Sequence, residues 1–186
     1  MSYFDPRHGS STLETVLSLS GTVIRNWRTR GFLSGIGTIG PNGRWTYSDS
    51  DILTIACGRV FLADGATSVS QALTLAAVIQ LDVLLRLFPN VKCPVFLTTG
   101  QFISVSIEPD GAIQRTPVVE LSKTEIGSTS LLSLVDIDVL VGKLPVGLSE
   151  ILTALSDQEA ENLFSALSFS HGPTHDPRSG EIRHGI

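Results

Sequence analysis

The chain has 186 residues, of which 42% are hydrophobic and 17% charged, and its formal net charge is −5. This length and hydrophobic content exclude a wholly disordered chain and allow one ordinary domain or two small ones. A net negative charge argues against a nucleic-acid-binding protein, because such proteins usually carry an excess of lysine and arginine. That argument holds only when the charge is evenly spread along the chain.

The charge is divided unequally between two parts of the sequence. From Ser11 to Tyr47 there are four arginines and one acidic residue, Glu14, which gives a net charge of +3. From Ser48 to Ile186 there are 8 basic and 16 acidic residues, which gives −8. Such asymmetry indicates an anionic partner for the basic part.

Two short helices joined by a tight turn are predicted in the basic part. The first covers residues 13–19 and ends at Ser20-Gly21, and the second runs from Thr22, its predicted N-cap, to Arg30. Gly31 suits the position after a helix, where the backbone often turns left-handed. Together the two helices predict a helix-turn-helix.

A small β-hairpin is predicted next. Residues 34–43 are rich in glycine, Pro41-Asn42-Gly43 is a strong turn signal, and residues 44–47 form the return strand. The glycine spacing in residues 35–40 loosely resembles a phosphate-binding loop. It lacks the strand and helix that such a loop needs, so we interpret it as part of the hairpin.

Two longer helices are predicted to follow the hairpin. Ser48 and Asp51 have the spacing of a capping box, which opens a helix ending near Phe61. A further helix covers residues 68–87 and is apolar on more than one face, so it is either core or a subunit interface. The best candidates for a dimer interface are three residues of this helix: Leu75, Ile79 and Val83.

The C-terminal half changes character from helix to strand. Strands are predicted at residues 95–99, 101–108 and 112–119, and helices at 149–155 and 157–167. Residues 131–141 could be strand or helix, because their apolar pattern satisfies neither period cleanly. The fold class is therefore α+β. The predicted divisions are a winged helix-turn-helix domain at 1–66, a helical linker or dimerisation element at 67–90, a small α+β domain at 91–170 and a flexible tail at 171–186.

Residues 22–52 resemble the DNA-binding domain of the MerR family of bacterial transcription regulators. The positions that carry the resemblance are Ile24-Arg25, the aromatic Trp27, Gly31-Phe32-Leu33 and Tyr47, followed by the acidic start of the next helix. The resemblance covers roughly residues 13–88 and implies a winged helix-turn-helix whose second helix reads DNA. One module of this size makes too few contacts for a tight specific site, so we expect a dimer on a near-palindromic operator.

The predicted DNA-binding residues are Thr22, Arg25, Asn26, Arg28, Arg44 and Tyr47. Arginine donates two parallel hydrogen bonds to guanine or phosphate, asparagine pairs with adenine, and a helix N-terminus attracts phosphate. Arg44 on the wing is expected near a phosphate or the minor groove, and the resemblance implies that Tyr47 donates its hydroxyl to the DNA backbone. Trp27 fits either a core position or a DNA contact.

We predict a cytoplasmic, sequence-specific double-stranded DNA-binding transcriptional regulator that acts as a homodimer. No catalytic motif, cofactor site or membrane segment is expected, and the His171 and His175 pair, interrupted by glycine and proline, is not expected to bind metal. RNA polymerase or another protein is a candidate partner for the C-terminal region. The alternatives are an excisionase-like architectural factor, a protein-interaction adaptor, or a small-molecule sensor in residues 95–167.

Overall fold

The computed structural model describes residues 2–64, 68–88, 102–107, 113–118 and 131–152. The helices in this part are α1 (Ser10–Leu17), α2 (Gly21–Thr29), α3 (Asp49–Ala63), α4 (Val69–Leu87), α5 (Ile137–Gly142) and α6 (Leu148–Leu152). The strands are β1 (His8–Gly9), β2 (Thr38–Ile39), β3 (Trp45–Tyr47), β4 (Phe102–Ile107), β5 (Ile113–Val118) and β6 (Leu131–Asp136). Mixed helix and small sheets confirm the predicted α+β class.

The two predicted short helices are α1 and α2. Helix α1 buries Leu13 and Leu17 and ends at Ser18, whose φ of 50° is left-handed. The N-cap of α2 is Ser20 and not Thr22 as predicted, because the Ser20 hydroxyl accepts a hydrogen bond from the Val23 amide at 3.3 Å. Gly31, with φ +75°, follows the helix end as predicted.

The predicted hairpin is the β2–β3 pair, which we call the wing. Its turn is closed by the Gly43 amide, which donates to the Gly40 carbonyl at 2.9 Å, and by the Gly40 amide, which donates to the Arg44 carbonyl at 2.8 Å. Gly43 has φ +72°, a backbone conformation that favours glycine. Strand β1 adds to the other edge of β3, so the sheet order is β1-β3-β2.

Helix α3 starts at the predicted capping box. The Ser48 hydroxyl accepts from the Asp51 amide at 3.1 Å, and the Asp51 carboxylate accepts from the Ser48 amide at 2.8 Å. Helix α3 then packs closely along α4 at Gly58, where an added Cβ would lie 2.8 Å from a methyl group of Leu73. The two helices approach this closely because Gly58 has no side chain.

Helix α4 is a core helix, which corrects the predicted dimer interface. Ile79 and Val83 have no exposed surface within the single chain, and Leu75 is only partly buried. Residues already enclosed by their own chain have no surface left to bury against a second copy. Leu75 alone of the three remains accessible.

The composition of α4 also meets a length and hydropathy criterion for crossing a membrane. Inside the protein, however, its Gln80 amide donates to the Tyr3 hydroxyl at 2.7 Å and to the Ser50 carbonyl at 2.9 Å. These bonds tie the N-terminal segment, α3 and α4 together. Helix α4 is thus hydrogen-bonded to two other segments of the chain, and 44% of its most apolar stretch is buried inside the described structure.

The second sheet has the order β5-β4-β6, and all its pairs are antiparallel. The strands predicted at residues 101–108 and 112–119 are confirmed as the antiparallel pair β4 and β5, with Ile107 opposite Ile113. The segment that could be strand or helix contains both: β6 ends at Asp136, whose carboxylate caps α5 by accepting from the Val139 amide at 3.1 Å. The strand predicted at 95–99, the helix at 157–167 and the tail lie outside the described residues.

One hydrophobic core contains side chains from both halves of the chain. Leu13 and Ile24 from the basic part, Ile79 from α4, and Ile103 and Val135 from the second sheet belong to the same buried cluster. The division into domains at residues 66 and 90 stays a prediction. The shared core nevertheless joins the elements on both sides of these boundaries.

Candidate nucleic-acid interface

One side of α2 is polar and exposed. Thr22, Arg25, Asn26 and Thr29 are exposed, whereas Ile24 on the other side is 5% exposed and packs in the core. The Arg25 guanidinium donates to the Thr22 hydroxyl at 3.3 Å, and the Thr29 hydroxyl donates to the Arg25 carbonyl at 3.0 Å. The structure therefore brings Thr22, Arg25 and Asn26 together on one accessible surface, which we call the α2 face.

The charge of this region is mainly positive, although the Glu14 carboxylate of α1 lies beside Gly21 and lines the same surface pocket as Arg25. Between Thr15 and Ser48 the sequence has four arginines and no carboxylate. Of these, Arg25, Arg30 and Arg44 are exposed and make no ion pair with any carboxylate in the described part of the chain. Exposed guanidinium groups without an internal counter-ion are available to an external anion.

Arg28 has a different position from the one predicted. Its guanidinium lies 3.5 Å from the centre of the Trp45 ring and 5.3 Å from that of Tyr47, and its Nη1 donates to the Leu33 carbonyl at 2.7 Å. Its Nε and Nη2 are buried and have no hydrogen-bond partner among the described residues. The prediction of a direct DNA contact is thus corrected: Arg28 joins α2 to the wing.

Gly37 makes this contact possible. Its φ is +76°, and a Cβ built there would lie 2.7 Å from Arg28 Nη2 and 2.9 Å from two carbons of the Tyr47 ring. Both distances are shorter than real Cβ contacts allow. Only glycine therefore fits between the guanidinium and the tyrosine ring.

Tyr47 is also placed differently from its prediction. Its side chain is fully buried, and its hydroxyl is buried with no hydrogen-bond partner in the described part of the chain. The predicted hydroxyl contact with the DNA backbone is therefore wrong for this conformation, because the group does not reach the surface. Trp27 is half-buried and packs against the core, which agrees with the core interpretation.

The wing presents Arg44 at its exposed end. The Arg44 amide donates to the Asn42 side-chain carbonyl at 3.0 Å, which fixes the turn while the guanidinium stays exposed. Sequence reasoning missed two other exposed residues here, Arg30 after α2 and Ile39 on β2. Arg30 lies in the same carboxylate-free stretch, a signal available in the sequence.

A buried ion pair supports the sheet beneath the interface. Asp49, at the start of α3, is 1% exposed and pairs with Arg7, while its carboxylate oxygen lies 2.6 Å from Nε2 of His8. The Arg7 amide also donates to the Tyr47 carbonyl at 3.0 Å. Arg7 therefore joins β1 to β3 and α3, and its charge is paired with Asp49 and does not add to the exposed positive charge.

The remaining chemistry of the described residues is limited. No group of three or more histidine, cysteine or acidic side chains with the arrangement of a metal site occurs among them. His171 and His175 lie outside the described residues. Burial raises the pKa of the Cys57 thiol to about 12, so it is not a nucleophile at neutral pH.

Known proteins give no independent assignment for this interface. No family model, curated protein or solved structure matches the chain significantly. The resemblance to the MerR family therefore rests on the residues at positions 22–52 and stays a hypothesis. The arguments for function below depend on the α2 face, the wing and their charge.

Proposed function

We propose that the protein is a winged helix-turn-helix regulator that binds double-stranded DNA through the α2 face and the wing. The observation that carries this proposal is the group of exposed, unpaired arginines, Arg25, Arg30 and Arg44, in a segment without carboxylates. A surface that attracts phosphate and also offers amide and hydroxyl groups has the chemistry that reads a duplex.

In this proposal α2 enters the major groove, which accommodates one helix. Arg25 donates to guanine or phosphate, Asn26 pairs with adenine, and Thr22, in the first turn of α2, donates to phosphate. Arg44 on the wing binds a neighbouring phosphate. Arg28 acts as a positioning residue, since its contacts with Trp45 and Leu33 set the wing relative to α2.

Dimerisation remains part of the proposal. One helix and one wing make few base contacts, and helix-turn-helix proteins gain affinity by placing two copies on two half-sites. Ile79 and Val83 are not available for this contact because they are buried in the core. Light scattering coupled to size-exclusion chromatography is expected to give twice the mass of one chain.

The test is selection of duplexes from a random pool by the full chain, followed by fluorescence anisotropy on the selected sequence. Arg25→Ala is expected to weaken binding at least tenfold. The matched control is Arg86→Ala, since Arg86 is an exposed arginine on α4 that pairs with Asp138, away from the α2 face. This control is expected to bind like the wild type.

Salt dependence separates the possible contacts. The logarithm of the association constant is expected to fall linearly with the logarithm of salt concentration, and losing one phosphate contact reduces the slope by about 0.9. Equal binding by wild type and Arg25→Ala would refute the assignment of the α2 face. Tight binding without any enriched sequence would favour the architectural-factor alternative over an operator-specific regulator.

A further inference from the structure

An apolar row runs along the wing from the core to the solvent. Ile39 on β2 lies directly opposite Trp45 on β3, and Tyr47 is two residues further along β3. Residues paired across antiparallel strands, and residues two apart on one strand, point to the same face. Tyr47 is fully buried, Trp45 is half-buried and Ile39 is 62% exposed, so the row ends in an exposed apolar side chain.

Ile39 lies next to the turn of the two-stranded wing. The turn that follows, residues 40–43, contains two glycines, a proline and an asparagine, and Arg44 comes directly after it. The middle member of the row, Trp45, is stacked on Arg28 of α2 and lines one surface pocket together with Arg25 of the α2 face. Ile39 and the α2 face can therefore approach one ligand together.

A ligand that contacts both the arginines and Ile39 must offer anionic groups together with an apolar surface. The exposed, unpaired arginines Arg25, Arg30 and Arg44 require a polyanion, which an apolar protein surface does not supply. Phosphate groups alone offer nothing to an isoleucine. A DNA duplex offers both, since stacked bases lie between its two phosphate backbones and apolar side chains enter its minor groove.

We propose that Ile39 enters the minor groove beside the major-groove segment read by α2, partly unstacks one base step and bends the duplex. The inference rests on the proposed function. Arg44, next to the turn, binds the phosphate that borders the bent step. Pyrimidine–purine steps unstack most easily, so a TA or CA/TG step is expected at the position of the wing.

The experiment compares the full chain with Ile39→Ser and Ile39→Thr on the selected duplex, with bending measured by energy transfer between dyes at the DNA ends. Thr38→Ala is the matched control, since Thr38 is an exposed neighbour on the opposite face of the same strand. Thermal unfolding followed by circular dichroism checks each variant, and an exposed position predicts little change.

We expect Ile39→Ser to lower affinity at least fivefold and to reduce the bend, with Ile39→Thr intermediate and Thr38→Ala unchanged. The salt slope is expected to stay as in the wild type, because no phosphate contact is lost, whereas Arg44→Ala lowers it by about 0.9. Wild-type affinity and bend in both Ile39 variants would overturn this inference and leave the proposed function intact. Failure of the wild type to bind any duplex would overturn both.

Discussion

Gly35 and Gly37 offer a matched pair that isolates the contact between α2 and the wing. Their φ values are +77° and +76°, so alanine pays the same backbone cost at either position. They differ in their surroundings. A Cβ at position 35 meets nothing within 4 Å, whereas at position 37 it meets Arg28 Nη2 at 2.7 Å and the Tyr47 ring at 2.9 Å.

The expected loss of stability follows from these contacts. Gly35→Ala is expected to cost about 1–2 kcal/mol, the usual penalty for a left-handed backbone at an L-residue. Gly37→Ala adds the displacement of Arg28, which loses about 1.5 kcal/mol from its hydrogen bond to Leu33 and about 0.5–1 kcal/mol from its stacking on Trp45. The second variant should therefore be less stable than the first by about 2 kcal/mol.

Urea unfolding monitored by tryptophan fluorescence measures this difference, since Trp45 lies under the displaced guanidinium. In thermal unfolding, about 2 kcal/mol corresponds to a Tm difference of about 4–8 °C for a chain of this size. Equal free energies of unfolding for Gly35→Ala and Gly37→Ala would refute the reasoning, because the close contact would then carry no energy.

Asp49→Ala is expected to lower the free energy of unfolding, measured in urea, by about 2–3 kcal/mol. This loss is smaller than that for a fully buried ion pair because the Arg7 side chain is 21% exposed. A loss smaller than that caused by the exposed control Asp64→Ala would contradict this prediction. Burial raises the pKa of the Cys57 thiol to about 12, so the thiol keeps its proton in the folded chain and loses it on unfolding above pH 9. The free energy of unfolding of the wild type should therefore fall between pH 8 and pH 10 by about 1 kcal/mol more than that of Cys57→Ala. Hydrogen bonding to Arg86 lowers the pKa of Asp138, and Arg86→Ala should raise it towards its ordinary value in an NMR titration; an unchanged titration would show that the pair does not form in solution.

Local signals in the sequence predict some helix ends correctly, although the N-cap of α2 is Ser20 and not the predicted Thr22. The Ser48 and Asp51 capping box and the glycine at position 31 act within a few residues, and both are found as predicted. Strand β1 was not predicted, because two residues form a strand only by pairing with β3, which is distant in sequence. The Gly43 turn was predicted because it needs only its own residues.

The site was harder to predict, since residue type does not reveal which way a side chain turns. Arg28 follows Ile24 by four residues and so lies on the buried side of α2, a spacing that could have revealed its structural position. Ile79 and Val83 lie on a helix that is apolar on more than one face, and periodicity alone does not separate core from interface there. Their burial by the rest of the chain shows that both residues belong to the core.

The stacking of Arg28 between α2 and the wing has a consequence for the length of the DNA segment that one copy recognises. In the proposed complex, inserting one base pair between the segments bound by α2 and the wing shifts one by about 3.4 Å and rotates it by about 35°. The Arg28 guanidinium, held by Trp45 and the Leu33 carbonyl, fixes the wing relative to α2, so the wing does not move to follow that shift. Natural target sites are therefore expected to keep this interval constant and to vary only in the interval between their two halves.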